Sequence, residues 1–377
     1  MARITREERQ KIMDKYGVDD IWSYSRVSVY SERPWEFMIR YIRKEKVDTS
    51  NVYTHFGEIC HSIIQDYIEG KYPQSKMIDL FNEAVLQTDL EGKYEFMNDN
   101  VRKGYIDNLQ HYFKHTHYPI DTMDKSIEKT VMTLFKTPDG KPIVFIGYID
   151  LLTTDPEDGK VVVVDFKTSS SGKFTGKALQ ESARQLKLYA MGISQMYKIP
   201  IEKIKLRYDM QKYLTVSFLQ KNGKWSKPTL KERTKWVPTQ EARIRKGLED
   251  LGYDMFEADL MYERAVHLSG LEEMPEELQE RFKLDTGMIE LDMTQEIVDE
   301  MNEWIVKHVT EAERRAQAED LDAEFPEPVD IDSEFYYNVL APAMKPFNKA
   351  WAEKQELKRI MEEETKTDDI DIDDLFS

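Results

Sequence analysis

Two acidic residues face each other in a stretch of the chain that has the pattern of paired β-strands. If residues 156–159 form a four-residue loop, Asp155 pairs with Lys160. The same register then places Asp150 directly opposite Asp165, and directly opposed residues share one face of a sheet with Cβ atoms about 5 Å apart. Like charges so placed destabilise a sheet, so the pair predicts either a chemical role or a neutralising partner.

The nearest basic residue is Lys167, which follows Asp165 by two positions and therefore points to the same face of the strand. Apolar residues flank the pair, and buried carboxylates require a cation or protonation to offset desolvation. Mg²⁺ typically binds one or two carboxylates together with water and phosphate, so the pattern favours a divalent-metal site. Two alternatives stay open: Lys167 alone neutralises a structural pair, or the register is shifted by one residue and the acids face opposite sides.

Strand and helix patterns surround these acids. Residues 127–135, 143–152 and 160–168 are rich in β-branched and aromatic residues and are separated by turn signals, which predicts a three-strand meander. Residues 178–197 have helical spacing, and residues 203–220 again have strand character before a hairpin turn at KNGKW. A strand, a helix and a strand that follow a meander indicate a mixed α/β core.

The remaining segments have mostly helical patterns. We expect a helical N-terminal part at residues 1–125, the α/β core at residues 126–225, and a mostly helical C-terminal part at residues 226–364 that packs on the core. Residues 365–377 are acidic and nearly featureless, which predicts a disordered tail.

Short motifs occur in a fixed order around the acids, each on the expected type of element. They are Gly57-Glu58-Ile59-Cys60-His61, Gly147-Tyr148-Ile149-Asp150, Asp165-Phe166-Lys167 and Gln185-Leu186-Lys187-Leu188-Tyr189. This set resembles the GxxxH, GxxD, (D/E)xK and QxxxY motifs of RecB-like PD-(D/E)XK nucleases. Upstream, Ser25, Pro34, Phe37 and Tyr41 resemble the opening of that family, and the resemblance covers residues 20–220.

The resemblance implies a restriction-endonuclease-like fold, in which a central mixed β-sheet is flanked by helices and extended by helical N- and C-terminal additions. It also implies a ligand set for one or two Mg²⁺ or Mn²⁺ ions, made of His61, Asp150, Asp165 and the carbonyl of Phe166. In this scheme Lys167 orients a water molecule or neutralises the phosphate, and Gln185 and Tyr189 position Lys167 and the DNA. Without the family, His61 is a solvated residue off the apolar stripe of its helix, and the other two are ordinary helix packing.

Basic and aromatic residues near these motifs are candidates for DNA contacts. The proposed phosphate contacts are Lys173, Lys177, Arg184 and Lys187. Phosphate contacts position DNA without reading its bases, and the alternative is a solvated helix face. Trp22, Tyr24 and Trp35 are candidates for stacking on single-stranded bases, although core packing is expected for both tryptophans.

Cys60 is the single cysteine, which excludes an intrachain disulfide, a thiolate zinc site and a cysteine-held iron–sulfur cluster. Several relatives, including the CRISPR-associated RecB-like exonucleases, hold such a cluster between a cysteine before the opening proline and three late cysteines. Here Arg33 precedes Pro34, and residues 324–338 contain no cysteine. We therefore expect no iron–sulfur cluster, and packing must hold these two segments.

Charge and hydropathy limit the class of protein. The formal net charge is −18, which argues against an overall basic surface but allows a local basic channel. The charged N-terminus and the lack of a long apolar stretch predict a cytoplasmic protein with no membrane segment. His111, His115 and His117 have helical spacing, and the surface end of a helix is a more common interpretation than a second metal site.

The expected function is a metal-dependent deoxyribonuclease, most directly a phage-encoded, stand-alone exonuclease of DNA recombination, repair or replication. The alternatives are a structure-specific or nicking endonuclease and a catalytically silent DNA-binding or interaction module. Residues 368–377 carry acids followed by Leu375 and Phe376, which predicts a tail that binds a replication or recombination partner. The alternative for this tail is a solubilising end.

Overall fold

The computed structural model describes the backbone of residues 4–368 and the side chains up to residue 363. The chain forms two compact units, the first made of Met1–Trp22 and Val52–Glu303 and the second of Ser23–Asn51 and Trp304–Ser377. The helices are α1 (Arg6–Tyr16), α2 (Tyr24–Glu32), α3 (Pro34–Phe37), α4 (Val52–Ile68), α5 (Lys76–Glu91), α6 (Asp99–His115), α7 (Gly176–Ser182), α8 (Arg184–Tyr197), α9 (Glu241–Asp250), α10 (Met255–Leu268), α11 (Glu276–Gln279), α12 (Gln295–Arg315), α13 (Leu321–Glu324) and α14 (Lys349–Asp368).

A mixed sheet forms the centre of the first unit. Its strands are β1 (Lys125–Lys136), β2 (Pro142–Thr154), β3 (Val161–Lys167), β4 (Ile204–Phe218), β5 (Thr229–Glu232) and β6 (Phe282–Asp292). Strands β1, β2 and β3 form an antiparallel meander, β3 and β4 are parallel, and both β5 and β6 run antiparallel to β4. The predicted mixed α/β fold, with a central mixed sheet flanked by helices, is confirmed.

The register of the β2–β3 hairpin is the one expected from the loop length. The paired positions run from Thr154 with Val161 to Leu151 with Val164. At the turn, the backbone N–H of Asp155 donates to the carbonyl of Lys160 at 2.8 Å. Because the side-chain period of a strand is two, this register decides which face every later residue occupies.

Side-chain contacts of Asp155 hold the turn of this hairpin. One carboxylate oxygen accepts from the backbone N–H of Glu157 at 2.9 Å. The other lies 3.0 Å from the ammonium group of Lys205 and 3.3 Å from the guanidinium of Arg207, both on β4. The turn is therefore tied to the neighbouring parallel strand, and not only to its own hairpin.

The amphipathic helix predicted around Gly57 is α4. Its buried face packs with β3 and with α6 in one apolar cluster that includes Phe56, Cys60, Ile64 and Phe166. Burying large apolar side chains contributes about 1.5 to 3 kcal/mol each, so this stripe fixes the rotation of α4 against the sheet. That rotation determines where the polar residues of the helix point.

The crossover from β3 to β4 differs in detail from the single helix expected at residues 178–197. It contains α7 and α8, which are separated at Ala183, where the backbone has ψ −3°. After β4, the expected hairpin turn is present, with the N–H of Gln220 donating to the carbonyl of Lys224 at 2.9 Å. The predicted helix content is therefore correct, but the helix restarts with Arg184 at its first position.

Two features of the C-terminal third were not anticipated. The segment expected to be mostly helical supplies β6, whose 11 residues cover the edge of β4 opposite β3 and β5. Helix α14 continues to Asp368, so residues 365–368, predicted to belong to a disordered tail, are helical. The partner-binding role predicted for residues 368–377 lies outside the residues whose side chains are described.

A buried ionic network organises the second unit. The carboxylate of Glu36 is fully buried and lies 3.1 Å from Arg33 and 2.7 Å from Arg40. The hydroxyl of Tyr336 donates to it at 2.9 Å, and the guanidinium of Arg33 lies 4.1 Å from the centre of the Tyr336 ring. This network joins the two segments of the second unit without cysteine.

No helix within residues 4–368 combines the length and the apolar character needed to cross a bilayer.

Candidate active site

Asp150 lies where β2 and β3 separate. The ladder ends with the pair of Leu151 and Val164, and one position further the Asp150 carboxylate accepts from the backbone N–H of Phe166 at 2.9 Å. The N–H of Phe166 thus donates its hydrogen bond to a side-chain oxygen and not to a backbone carbonyl of the neighbouring strand. The contact holds the carboxylate beside β3 and keeps it next to Asp165.

Asp165 and Lys167 form a close ion pair on β3. The ammonium nitrogen of Lys167 lies 2.5 Å from Oδ2 of Asp165, whose residue is only 5% exposed. Burial is the largest single effect and lowers the pKa of Lys167, but Asp165, with smaller contributions from Asp150 and Tyr189, acts in the opposite direction, and the net pKa is raised. Lys167 is therefore a cation at neutral pH, as a phosphate-neutralising group must be.

Burial and the neighbouring acid both disfavour the charged form of Asp150. Burial is the largest cause that raises the pKa of Asp150, to about 6, and the neighbouring Asp165 carboxylate is the second. Electrostatic interactions with His61 and Lys167 and the hydrogen bond from the N–H of Phe166 act in the opposite direction. The site is thus short of positive charge, which is the condition predicted from the opposed acids.

His61 on α4 completes this side of the site. Its Nε2 lies 2.8 Å from the carbonyl oxygen of Phe166, and its Nδ1 lies 3.7 Å from Oδ2 of Asp150. A carbonyl oxygen only accepts hydrogen bonds, so Nε2 carries the hydrogen and Nδ1 of the neutral ring has a lone pair. Histidine ligands of metals commonly donate their other N–H to a backbone carbonyl in this way.

Gln185 and Tyr189 lie on one face of α8, as their spacing predicts. The side-chain amide of Gln185 donates to the Tyr189 hydroxyl at 3.0 Å. Burial raises the pKa of Tyr189 to about 12, so this hydroxyl remains protonated at neutral pH. A Cβ added to Gly147 on β2 would lie only 2.2 Å from the Tyr189 ring, which explains the need for glycine at this position.

Glu128 is a strained residue beside the candidate site that the sequence did not reveal. In the β1–β2 ladder, Ile127 pairs with Leu151 and Lys129 pairs with Ile149, so Glu128 stands at the position across from Asp150. Its backbone has φ +49°, a left-handed conformation that costs a residue with a side chain about 1 to 2 kcal/mol. Strained residues of this kind concentrate at functional sites, but no sequence motif marks this one.

The carboxylate of Glu128 accepts from the side-chain amide of Gln65 at 2.6 Å. Gln65 is buried on α4 and follows His61 by four residues, so both point toward the same part of the sheet. The spacing of four residues was the one available signal, and it is weak without knowledge of how α4 packs.

A second missed residue supports β3 from the opposite face of the sheet. Asp209 on β4 pairs with Phe166 and is fully buried. The hydroxyls of Tyr112 and Tyr118 each donate to its carboxylate at 2.6 Å, and the ring of Tyr118 lies edge-on to Phe166. An acid in the middle of an apolar strand pattern was the signal that marks it.

The four basic residues proposed for DNA contact have different environments. Lys173 and Lys177 are exposed, and Arg184 is partly buried at the start of α8. Lys187 is only 4% exposed, and its ammonium group donates to the backbone carbonyl and the side-chain oxygen of Gln180 at 3.0 and 2.8 Å. In this conformation Lys187 packs inside the protein and does not present its charge to DNA, so we assign it to packing.

Neither tryptophan considered for base stacking is exposed. Trp22 and Trp35 are each 3% exposed, and Trp22 stacks on Phe145 of β2. Both residues belong to the apolar core, as expected.

The donor set fits a hard divalent cation. Within the described part of the chain, no three His, Cys, Asp or Glu side chains converge closely enough to hold a metal ion. Mg²⁺ needs fewer protein ligands, however, because it retains water and binds substrate phosphate. Asp165 Oδ2 is buried and its described contact is the ion pair with Lys167, and Asp150 Oδ2 faces the Nδ1 lone pair of His61. These acceptors are chemically suited to a shared cation.

Residues 21–264 match the family model of the PD-(D/E)XK nuclease superfamily. The chain belongs to the PD-(D/E)XK nuclease superfamily. This membership indicates a nuclease, and nucleases of this superfamily generally use divalent metals. A search of curated proteins finds no matching sequence.

Proposed function

We propose that this PD-(D/E)XK protein is a Mg²⁺- or Mn²⁺-dependent DNA exonuclease of the RecB-like type, which acts in recombination, repair or replication. The observation that carries the proposal is the convergence of Asp150, Asp165 and Lys167 where β2 and β3 separate. Burying two acids and one lysine at this point lowers the stability of the fold, and such costly clusters of charged groups are typical of catalytic sites.

In the proposed reaction, the divalent ion supplies positive charge to the scissile phosphate and to the attacking water. Asp150 and Asp165 would hold that ion, and the Phe166 carbonyl and Nδ1 of His61 would be its further ligands. The N–H of Phe166 keeps the Asp150 carboxylate in place. Lys167 orients the attacking water or neutralises the phosphate.

Residues of α7, α8 and the preceding loop extend this site toward the substrate. Tyr189 and Gln185 form one hydrogen-bonded pair, and Tyr189 lies against β2 at Gly147. We propose that this pair positions Lys167 and the DNA strand. Lys173, Lys177 and Arg184 are the proposed phosphate contacts, since two of them are exposed and the third begins α8.

The exonuclease mode rests on the ordered GxxxH, GxxD, (D/E)xK and QxxxY motifs that resemble those of RecB-like nucleases. The corresponding test is degradation of end-labelled linear and circular DNA, single- and double-stranded, with Mg²⁺, Mn²⁺ or EDTA. Wild type is compared with Asp165→Asn and Lys167→Met. Two variants on the same hairpin, Asp158→Asn and Lys160→Met, serve as matched controls because they make the same chemical changes outside the site.

The expected result is metal-dependent loss of linear DNA that Asp165→Asn and Lys167→Met abolish and the two control variants retain. Cutting of circular DNA would show that the protein is an endonuclease and would contradict the exonuclease proposal. If no metal supports cleavage but DNA binding is retained, the protein would instead be a catalytically silent binding module.

A further inference from the structure

Strand β4 extends beyond the end of its neighbour β3 and leads into a positively charged hairpin. Lys167, the last residue of β3, pairs with Met210, whereas β4 continues to Phe218 before the chain turns back into β5. Residues 219–231, which we call the basic hairpin, contain four lysines and no acidic residue. The lysines are Lys221, Lys224, Lys227 and Lys231. Because the whole chain has a net charge of −18, this local positive charge favours an anionic partner.

The lysines of the basic hairpin are not neutralised by ion pairs. The first three are exposed and the fourth is partly exposed, and none of the four forms an ion pair within the described part of the chain. The nearby carboxylates have other partners. Glu232 lies 2.7 Å from the ammonium group of Lys235, and Asp250, which interacts electrostatically with Lys221, lies 2.9 Å from that of Lys246. The positive charge of the hairpin is therefore available to a ligand.

Backbone hydrogen bonds hold the basic hairpin in place. The N–H of Gln220 donates to the carbonyl of Lys224 at 2.9 Å and closes the turn. The N–H of Leu219 donates to the carbonyl of Arg281 at 2.8 Å, which ties the hairpin to the residue that precedes β6. A surface that is ordered before binding loses less conformational entropy when a ligand binds.

The catalytic acid of β3 lies on the face of the sheet that α7 covers. The hydroxyl of Tyr208 on β4 donates to the carbonyl of Ser182 at 3.0 Å, so Tyr208 points to the α7 face. Asp165 pairs with Tyr208 and shares this face. Asp209, the next residue of β4, accepts from the hydroxyl of Tyr112 on α6 at 2.6 Å. The opposite face of the sheet is therefore the α6 face.

The register of β4 with β6 extends this assignment to the basic hairpin. Asp209 pairs with Met288, and after a bulge Leu214 pairs with Thr286. Because Met288 and Thr286 are two residues apart on β6, Asp209 and Leu214 both point to the α6 face. There, α9 and α10 pack with Leu214 in one apolar cluster. Ser217 follows Leu214 by three residues and therefore points to the α7 face.

An exposed tryptophan and a lysine meet on the α7 face. Lys283 pairs with Ser217 and so shares its face. Trp225 pairs with Leu219, is 36% exposed, and has its ring centre 4.1 Å from the ammonium nitrogen of Lys283. Asp285 also lies on this face, but its carboxylate accepts a backbone N–H at 2.7 Å. Exposed aromatic rings among cations are typical of surfaces that bind nucleic acid.

The extension of β4 begins beside the loop that follows β3. The hydroxyl of Tyr213 accepts from the backbone N–H of Ser171 at 3.0 Å, and the same loop carries Lys173, a proposed phosphate contact. From Tyr213 to Leu219 the strand covers about 20 Å, at about 3.3 Å per residue. Duplex DNA advances about 3.4 Å per base pair, so DNA that lies along β4 reaches the basic hairpin about six base pairs beyond this loop.

We propose that the basic hairpin is a DNA-binding arm that contacts the substrate backbone away from the scissile phosphate. Lys221, Lys224 and Lys227 contact phosphates, and Trp225 packs against the same strand. The α7 face, which carries both the catalytic acid and this tryptophan, forms the path of the DNA between them. The inference rests on the proposed function, because it takes DNA as the substrate, and it adds where the rest of that substrate lies.

The test is the binding of labelled duplex DNA in EDTA, measured by fluorescence anisotropy at several salt concentrations. Two duplexes are closed at one end by a non-nucleotide linker and have about 5 and about 25 base pairs, so only the longer one extends from the catalytic site to the hairpin. The test variant is Lys224→Ala with Lys227→Ala. The matched control is Lys198→Ala with Lys203→Ala, which removes two exposed lysines near the opposite end of β4.

We expect the test variant to bind the longer duplex about tenfold more weakly than wild type, and its slope of log affinity against log salt to fall by about 1.8. The control should bind like wild type, and all three proteins should bind the shorter duplex alike. The longer duplex should also quench the emission of Trp225, which is measured as the difference between wild type and Trp225→Phe.

Two results would overturn the arm and leave the nuclease in place. They are equal affinity of test and control variants for the longer duplex, and equal weakening of the test variant on both duplexes. Absence of DNA binding by wild type would overturn both proposals. If the expected binding differences are found but no metal supports cleavage, the arm is supported and the proposed nuclease activity is contradicted.

Discussion

The ring of Tyr189 occupies the space that a side chain on Gly147 would need. A Cβ at this glycine would lie 2.2 Å from Cε1 and 2.8 Å from the hydroxyl oxygen of Tyr189. Carbon atoms do not approach so closely, so α8 and β2 contact each other here only because position 147 has no side chain. The glycine of the GxxD motif thus positions the tyrosine of the QxxxY motif.

Gly147→Ala is therefore expected to displace Tyr189, to cost about 1 to 3 kcal/mol of stability and to lower nuclease activity. Gly57→Ala is the matched control, since a Cβ there would meet only Thr168, at an ordinary 3.8 Å. Thermal unfolding and cleavage rates of both variants measure the effect. Equal behaviour of the two alanine variants would contradict the assigned role of Gly147.

Asp150→Asn is expected to stabilise the metal-free protein while abolishing cleavage. Burial and Asp165 raise the folded-state pKa of Asp150 from 3.8 to about 6, so the folded state binds this proton more tightly than the unfolded state does. The stability of the wild type therefore falls as the pH rises from 3.8 through about 6. At about pH 8 the asparagine variant should be more stable by roughly 1 to 3 kcal/mol.

Denaturant unfolding in EDTA across this pH range measures the effect. Asp158→Asn is the control of opposite sign, because Lys205 lowers the pKa of this exposed carboxyl and its charge stabilises the hairpin above the ordinary pKa. A loss of stability in Asp150→Asn at neutral pH would show that the two carboxylates are not in conflict.

Glu128 allows backbone strain and chemistry to be separated. Both Glu128→Gly and Glu128→Ala remove the carboxylate that Gln65 contacts, but only glycine tolerates φ +49° without strain. The glycine variant should therefore be about 1 kcal/mol more stable than the alanine variant. Both should cleave DNA more slowly than wild type, and equal stability of the two variants would exclude stored strain.

Glu36 is expected to be the most sensitive polar residue of the second unit. Glu36→Gln leaves Arg33 and Arg40 without their shared negative partner and should cost about 3 to 5 kcal/mol. Tyr336→Phe removes one hydrogen bond to the carboxylate and should cost about 1.5 to 3 kcal/mol. Chemical denaturation measures both values, and the reverse order of the two costs would contradict the ionic network.

Salt dependence separates the proposed phosphate contacts from the buried lysine. Lys173→Ala and Lys177→Ala should weaken DNA binding and each reduce the slope of log affinity against log salt by about 0.7 to 0.9. Lys187→Met should leave that slope unchanged, because its ammonium group is bonded to Gln180. Anisotropy titrations at several salt concentrations in EDTA distinguish these outcomes.

Local patterns in the sequence were sufficient to predict the hairpin that carries the candidate site. The four-residue loop set the register of β2 and β3, and that register places Asp150, Asp165 and Lys167 together because the period of a strand is two. The apolar stripe of α4 predicted the helix correctly, since its period of 3.6 residues is visible without any tertiary contact.

Longer-range features required the tertiary structure. Strand β6 joins the sheet 64 residues after β4 ends, and its half-exposed residues lack a clear apolar alternation that would identify a strand. The exposure of Lys187 was equally invisible, because a lysine on a helix is buried or solvated according to how the helix rotates against its neighbours.

The contacts of Glu128, Asp209 and Glu36 also could not be predicted from the sequence. Each depends on partners distant in sequence, such as Gln65 for Glu128 and Tyr336 for Glu36. The sequence by itself predicted the candidate residues for holding a metal and a phosphate, because residue type and strand period suffice for such a prediction. Only the tertiary structure decided which polar groups support them, because a buried charge is stabilised by whichever partners the packing of distant segments brings within hydrogen-bond distance.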